Sequence, residues 1–543
     1  MYQYIFRGGL VIDGTGSPGY VGDVAISGNR IVKVAPRIDE PAKRQVDVRG
    51  MIVCPGFIDV HSHSDISLLY HNNPDSKIYQ GITTEVTGNC GFSPYPIRQE
   101  PSWLERRRTS LAFIDVDKVS WDWEDFAGYK RRMEAAGPNV NLVPLVGYGS
   151  IRAMVMGYEN RRATGQELIE MCRILKEHFC QGVAGISTGL GYPPDFYGDE
   201  RELTEIARVV KAYDRIFAFH VRGERATLFQ AVKEVISIGR NSGAKVHISH
   251  LKCAGIHNQD RGRELLDKID EAVAGGVDLT FVMYPYTAGS SNLGLVFPPS
   301  CHEGGVESLL NALKSPSKRS EICCQMEQGT KGWSTMIGEY GGENLMITAL
   351  DVHRDCIGKS LAQIGRQWGC SPSETACRLM EEESGKVEMV IFQCKESDMD
   401  QIAVRSGCLY GTDGLAMTEG ADRIRQMPHP RYFGSFPLLL LRYGGTEKGM
   451  GLEELISRLT EKSARRFGID YRGRLEEGYY GDVVVLDRQS LNAPASYENP
   501  CRISKGVRYL TVNGCMEIWE GRKTGRTGGG MELEYCRKTG SVV

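Results

Sequence analysis

The sequence predicts an α/β protein, a closed parallel (β/α)8 barrel with a small β domain assembled from both termini. Three observations predict it. Short apolar runs rich in Val, Ile and Phe recur eight times through the middle of the chain, with helical periodicity between them. Short β-branched runs broken by Gly, Asp and Asn occupy both ends. The 543 residues allow several domains, or one barrel with appendages.

At the amino end Tyr4-Ile5-Phe6, Gly9-Leu10-Val11-Ile12, Asp23-Val24-Ala25-Ile26, Arg30-Ile31-Val32-Lys33-Val34 and Met51-Ile52-Val53 read as strands of a small antiparallel sheet. The same texture returns in Gly481-Asp482-Val483-Val484-Val485-Leu486-Asp487 and Tyr509-Leu510-Thr511-Val512-Asn513-Gly514. Residues 1–55 and 471–543 are therefore expected to form one β domain and tail, with the barrel inserted at 56–470. The eight barrel runs are 56–61, 83–87, 141–146, 183–187, 216–220, 245–250, 279–283 and 408–413, and helices are expected at 165–180, 200–213, 226–241 and 261–274. A Gly/Ser/Pro-rich stretch marks an insertion over the barrel mouth at about 286–345, while an extra apolar run at 387–392 leaves the seventh strand open. The tail at 525–530 reads as a flexible turn.

Composition narrows the function. Hydrophobic residues at 41 % and charged residues at 24 % fit a packed core and exclude global disorder. A net charge of −3 is too balanced for a nucleic-acid partner. No stretch approaches the ~18 uncharged apolar residues of a membrane span, so no membrane is expected either. The amino terminus lacks a basic start and a cleavage site, so the 16 cysteines, none in a CxxC pair, are read as thiols of a cytoplasmic protein. Oligomeric state stays open.

Barrel enzymes carry their chemistry at the carboxyl ends of the strands. His61 and His63 close the first run, two apart and so on one side of an extended chain. Cys90 follows the second run, His220 ends the fifth, His250 the sixth, and Asp413 the last. Imidazole, thiolate and carboxylate are zinc's ligands. A single histidine at a strand end is usually structural; what matters is the joint placement. His247 lies three residues before His250, hence on the opposite face, and is expected to be structural, as are His71, His178, His257 and His302 in helices or loops. Asp413 is the candidate for proton transfer, for metal ligation, or for both. Lys252 shares the face of His250, and Arg431 offers a planar fork for a carboxylate. Arg222 and Glu224 are expected to pair with each other.

His61-Ser62-His63 after Gly56-Phe57-Ile58-Asp59, with a histidine at two later strand ends and an aspartate on the last, resembles the amidohydrolase superfamily. Finer motifs resemble its N-acyl-D-amino-acid deacylase (D-aminoacylase) family: Gly88-Asn89-Cys90-Gly91-Phe92-Ser93-Pro94, Ser187-Thr188-Gly189-Leu190-Gly191-Tyr192-Pro193-Pro194, His247-Ile248-Ser249-His250-Leu251-Lys252, Tyr284-Pro285-Tyr286-Thr287-Ala288-Gly289-Ser290 and His429-Pro430-Arg431. The resemblance implies a distorted TIM-like barrel and a zinc-dependent hydrolase of N-acyl amino acids, with the D configuration expected. It implies one tight zinc site of Cys90, His220 and His250, and a second, weaker one of His61, His63 and Asp413 sharing Cys90. It assigns the substrate carboxylate to Lys252 and Arg431, helped by Tyr284 and Ser290.

The alternative is a cyclic-amide hydrolase of hydantoinase or dihydroorotase type. Such two-metal relatives carry a carboxylated lysine on the fourth strand, and 183–188 holds no lysine. A catalytically dead scaffold is disfavoured by retention of all six donors. Two departures from the family pattern stand out: Tyr148 follows Gly147 where a histidine is usual, and the loop 414–430 is long.

Overall fold

The computed structural model describes residues 1–71, 73–110, 116–302, 305–330, 333–419, 427–525 and 530. Eight parallel strands follow one another in space in chain order: Phe57–Asp59, Ile82–Thr87, Asn141–Gly147, Gly185–Gly189, Ile216–His220, Lys245–Ile248, Leu279–Met283 and Cys408–Tyr410. The first and last meet just beyond their ends, where the Asp413 amide donates to the His61 carbonyl (2.8 Å) and the His63 amide to the Gly414 carbonyl (3.0 Å).

Strand alternation explains the packing. Ile58, Val60, Val86, Val143, Leu145, Ile216, Ala218, Val282 and Leu409 cluster with Phe467 and fill the barrel. The residues between them, such as Phe217, Phe219, Val246, Ile248 and Phe281, join the larger core shared with the helices. The helix Gly165–Cys180 shows how that layer is specified. Thr164 and Glu167 form a capping box at its start, and Leu168, Met171, Ile174, Leu175 and Phe179 are buried at helical spacing.

Leu279–Met283 is the seventh barrel strand, since the competing run Glu388–Phe392 pairs antiparallel with Ala288–Asn292 and Leu345–Ala349 in a separate sheet. That sheet has its own core, including Leu293, Leu309, Ile322, Leu361 and Met389. The separately folded segment thus continues to Phe392, beyond the 286–345 expected, because its central strand arrives last in sequence.

Both termini build one sheet. Val483–Leu486 pairs antiparallel with Ile52–Pro55, which runs directly into the first barrel strand. Asp482 ties the pieces together. Its carboxylate accepts from the Asn513 amide (2.7 Å) and Asn141 Nδ2 (3.3 Å) and pairs with Arg472, and its carbonyl accepts from the Gly56 amide (2.8 Å). Of the tail turn expected at 525–530, residues 526–529 lie outside the described residues. Among the described residues no helix is long and apolar enough to cross a membrane.

Arg472 and Asp482 are both buried, so removing one partner strands a charge. Arg472→Met is expected to destabilise the fold by about 3–5 kcal/mol, read from denaturant unfolding; Arg472→Met/Asp482→Asn should regain much of that loss.

Candidate metal centre

The six donors singled out at strand ends converge at the barrel mouth. Cys90 Sγ lies 3.4 Å from His250 Nε2 and 3.5 Å from His61 Nε2. Asp413 Oδ1 lies 3.1 Å from His63 Nε2 and 3.5 Å from His61 Nε2. His220 Nδ1 is 2.9 Å from His250 Nε2. All but His63 are buried.

The backbone is bent to achieve this. Cys90 (φ 53°), His250 (φ 32°) and Asp413 (φ 48°) all occupy the left-handed region that side chains other than glycine avoid. Cys90 is held there by its neighbours. Gly88 and Gly91 also have positive φ, and a Cβ at either would strike the Leu145 carbonyl or the Asp195 carboxylate. Asn89 Nδ2 braces the turn by donating to the Val86 carbonyl (2.9 Å) and the Ser62 carbonyl (3.3 Å). Strained positions of this kind gather where function demands them.

The electrostatics suit a cation. Burial pulls the pKa of His61 and of His220 down to about 3, leaving both imidazoles neutral and able to ligate. Burial, reinforced by Asp413 and Glu224, pushes the Cys90 thiol well above its ordinary value. Burial would raise Asp413 too, but Arg431 and the imidazoles of His61 and His63 hold it well below the usual carboxylate range. Zinc–sulfur and zinc–nitrogen bonds of ~2.3 and ~2.0–2.1 Å give a tetrahedral S···N edge of roughly 3.5 Å. The distances from Cys90 to the two imidazoles match that edge. The donor set therefore fits zinc.

Several expectations need correction. His61, His63 and Asp413 come together as anticipated, but the other group differs: Cys90 groups with His61 and His250, whereas His220 groups with His250 and Glu224. His250 lies past the strand end, and its positive φ swings the ring between the thiol and His220. Glu224 was not expected to touch the centre, yet its Oε1 is 3.0 Å from His250 Nδ1. Arg222, its expected partner, pairs instead with Glu234 (2.9 Å). The strand stops at His220, so alternation could not place Glu224; a carboxylate four residues past a candidate ligand was the available signal.

The two cations are already engaged. Lys252 pairs with Glu224 and lies 3.0 Å from His250 Nδ1. Arg431 Nη1 is 2.9 Å from Asp413 Oδ2, and its guanidinium sits 4.6 Å over the Tyr284 ring. Its Nε makes no hydrogen bond among the described residues. Ser291 Oγ, next to the expected Ser290, comes within 3.5 Å of the Tyr192 hydroxyl, whose ring packs 4.9 Å from His220. Tyr192 stood in a quoted motif without a role. Tyr148 donates to Glu202 and is fully buried. His247 points into the barrel, 2.7 Å from Thr280 Oγ1 and edge-on to Phe467, and not to the opposite face expected from its offset from His250, because His250 lies beyond the strand end where alternation stops. Of the loop 414–430, residues 420–426 lie outside the described residues.

The family model described as the amidohydrolase family matches residues 44–274. An N-acyl-D-glutamate deacylase from Alcaligenes xylosoxydans xylosoxydans is 32 % identical over 94 % of this chain and 92 % of its own length. The chain belongs to the D-aminoacylase family of amidohydrolases. A solved D-aminoacylase superposes with a TM-score of 0.80 at 30 % identity, covering 98 % of this chain and 100 % of the other. Its binuclear metal centre is described as activated by one metal and attenuated by a second. An N-acyl-D-glutamate deacylase from Bordetella bronchiseptica, complexed with zinc and a phosphonate mimic of the tetrahedral intermediate, has a TM-score of 0.82 at 29 % identity, covering 98 % and 99 %. An L-hydantoinase from Arthrobacter aurescens, at 15 % identity and a TM-score of 0.53, shares the fold alone.

Cys90→Ala removes the one thiol among the clustered donors. Zinc affinity, measured by chelator competition, is expected to fall at least ~10-fold while the unfolding transition of the chelated protein stays cooperative.

Proposed function

We propose that the chain is a zinc-dependent deacylase of N-acyl-D-amino acids, releasing a carboxylic acid and the free amino acid. The observation that carries this reading is the position of Asp413, which touches His61 and His63 through one oxygen and Arg431 through the other. Cys90 and His250 form the core of the tighter site, and His61, His63 and Asp413 the weaker one. Zinc, when bound, supplies a Lewis acid for the amide carbonyl and brings the pKa of water towards ~7.

The side chains do the rest. Asp413, kept ionised, accepts the proton of the attacking water and returns it to the departing nitrogen. Arg431 receives the substrate's α-carboxylate through the donors not turned to Asp413, its fork steadied by the Tyr284 face. An ammonium has three donors, so Lys252, directed at Glu224 and His250, retains one for the same carboxylate.

Two further features support the reading. The fourth strand, Gly185–Gly189, carries no lysine to bridge two metals as cyclic-amide hydrolases require. The described cysteines are free thiols, which suits a cytoplasmic enzyme, and a near-neutral charge balance suits a small-molecule substrate rather than nucleic acid.

A ninhydrin assay on N-acetyl-D- and N-acetyl-L-amino acids, with metal analysis, tests the proposal. Release of amino acid from the D series alone, lost on chelation and restored by zinc, is expected; activity confined to hydantoins would overturn it. Asp413→Ala is expected to lower kcat by roughly 10²–10⁴-fold, with zinc still bound at the Cys90 site; near-normal turnover would remove the aspartate from proton transfer.

A further inference from the structure

The weaker group of donors is split between two strand ends. His61 and His63 follow the first barrel strand, and Asp413 follows the eighth. Directly beneath them lies Lys77, on the short helix Asp75–Ile78, with no exposed surface. Its Nζ reaches Asp59 Oδ2 (3.0 Å), Glu85 Oε2 (2.9 Å), Thr412 Oγ1 (2.9 Å) and Ser62 Oγ (3.3 Å).

Each of these partners holds one flank of the donors. Asp59 Oδ1 accepts from the backbone amides of His61 (3.2 Å) and Thr412 (2.9 Å), and Oδ2 accepts from the Thr412 hydroxyl (2.6 Å). Glu85 Oε2 accepts from Ser64 Oγ (2.7 Å) and from Ser62 Oγ. The residue between the two histidines, and those next to His63 and to Asp413, are thus all fastened to one ammonium or to the carboxylates it joins. Without the ammonium, two buried carboxylates would face each other unpaired, and the side-chain tie that reinforces the backbone hydrogen bonds between the two strand ends would be lost.

We propose that Lys77 is a positioning residue of the metal centre: it clamps the first and eighth strand ends together through Asp59, Glu85, Ser62 and Thr412, setting the separation of His61 and His63 from Asp413. It touches neither substrate nor donor atom. The proposal rests on the metal-site reading given above, and groups that orient metal ligands from behind commonly contribute ~10–100-fold to metal affinity.

The test uses the full-length enzyme and two variants. Lys77→Met removes the clamp outright. Thr412→Val keeps the ammonium, both carboxylates and the Thr412 amide bond to Asp59, removing the hydroxyl that ties Lys77 and Asp59 to the Asp413 strand. Zinc affinity is measured by chelator competition, and ligand geometry from the visible spectrum of the cobalt-substituted protein. Lys77→Met is expected to weaken binding ~10–100-fold, Thr412→Val by less, and both to shift the cobalt bands. If Lys77→Met does not fold, Thr412→Val decides the matter: a folded variant with wild-type zinc affinity and cobalt spectrum overturns the proposal. Neither readout involves an amide. A wild-type protein that binds zinc but releases no amino acid fails the functional reading alone, and variants with undiminished affinity fail the clamp alone.

Discussion

The contact of the Cys90 thiol with the His61 and His250 imidazoles is the constraint around which the molecule is organised. A buried thiol packed between two imidazoles gains little by itself. Holding it there requires Cys90 and His250 at positive φ, and Asp413 beside them likewise, each at a cost of order 1–3 kcal/mol. Such an arrangement persists only where rigid surroundings impose it and a bound cation offsets it. The parallel barrel supplies the surroundings, since it brings eight strand ends to one rim whatever their separation along the chain.

Charge at the rim is arranged in opposed pairs. Asp413 with Arg431, and Glu224 with Lys252, flank the donor cluster. Each carboxylate is held ionised by its cation despite burial. The pairing keeps the centre near neutrality, so a divalent cation and an anionic substrate can both be accommodated. It also lets one set of residues serve two purposes, because a cation that steadies a catalytic carboxylate is well placed to meet the carboxylate of a substrate.

The appended parts are fitted to the same end. The antiparallel sheet built from Ala288–Asn292, Leu345–Ala349 and Glu388–Phe392 sets Ser291 against Tyr192 and thereby closes one side of the mouth. The terminal sheet lies at the opposite end of the first strand, where Asp482 joins it to Gly56, Asn141 and Arg472. Both attach through hydrogen bonds and ion pairs to elements that also carry site residues.

Sequence alone pointed to the barrel, to all of its strands but the seventh, and to the six donors that cluster at its mouth. Hydrophobic runs and the residues that follow them are local properties, and barrel topology converts a strand end into a place on the rim without further information. The family motifs gave Cys90 its significance for the same reason, being contiguous in the chain. What only the tertiary structure decided lies past the strand ends. There, alternation no longer says where a side chain points: Glu224 swings onto His250, and Arg222 turns to Glu234. The buried ammonium of Lys77 was equally hidden, since its partners Asp59, Ser62 and Glu85 flank it in the chain while Thr412 lies hundreds of residues away, and nothing in the spacing says that they meet. Pairing of charges at close range depends on distances of a few ångströms, and those are set by packing, not by spacing along the chain.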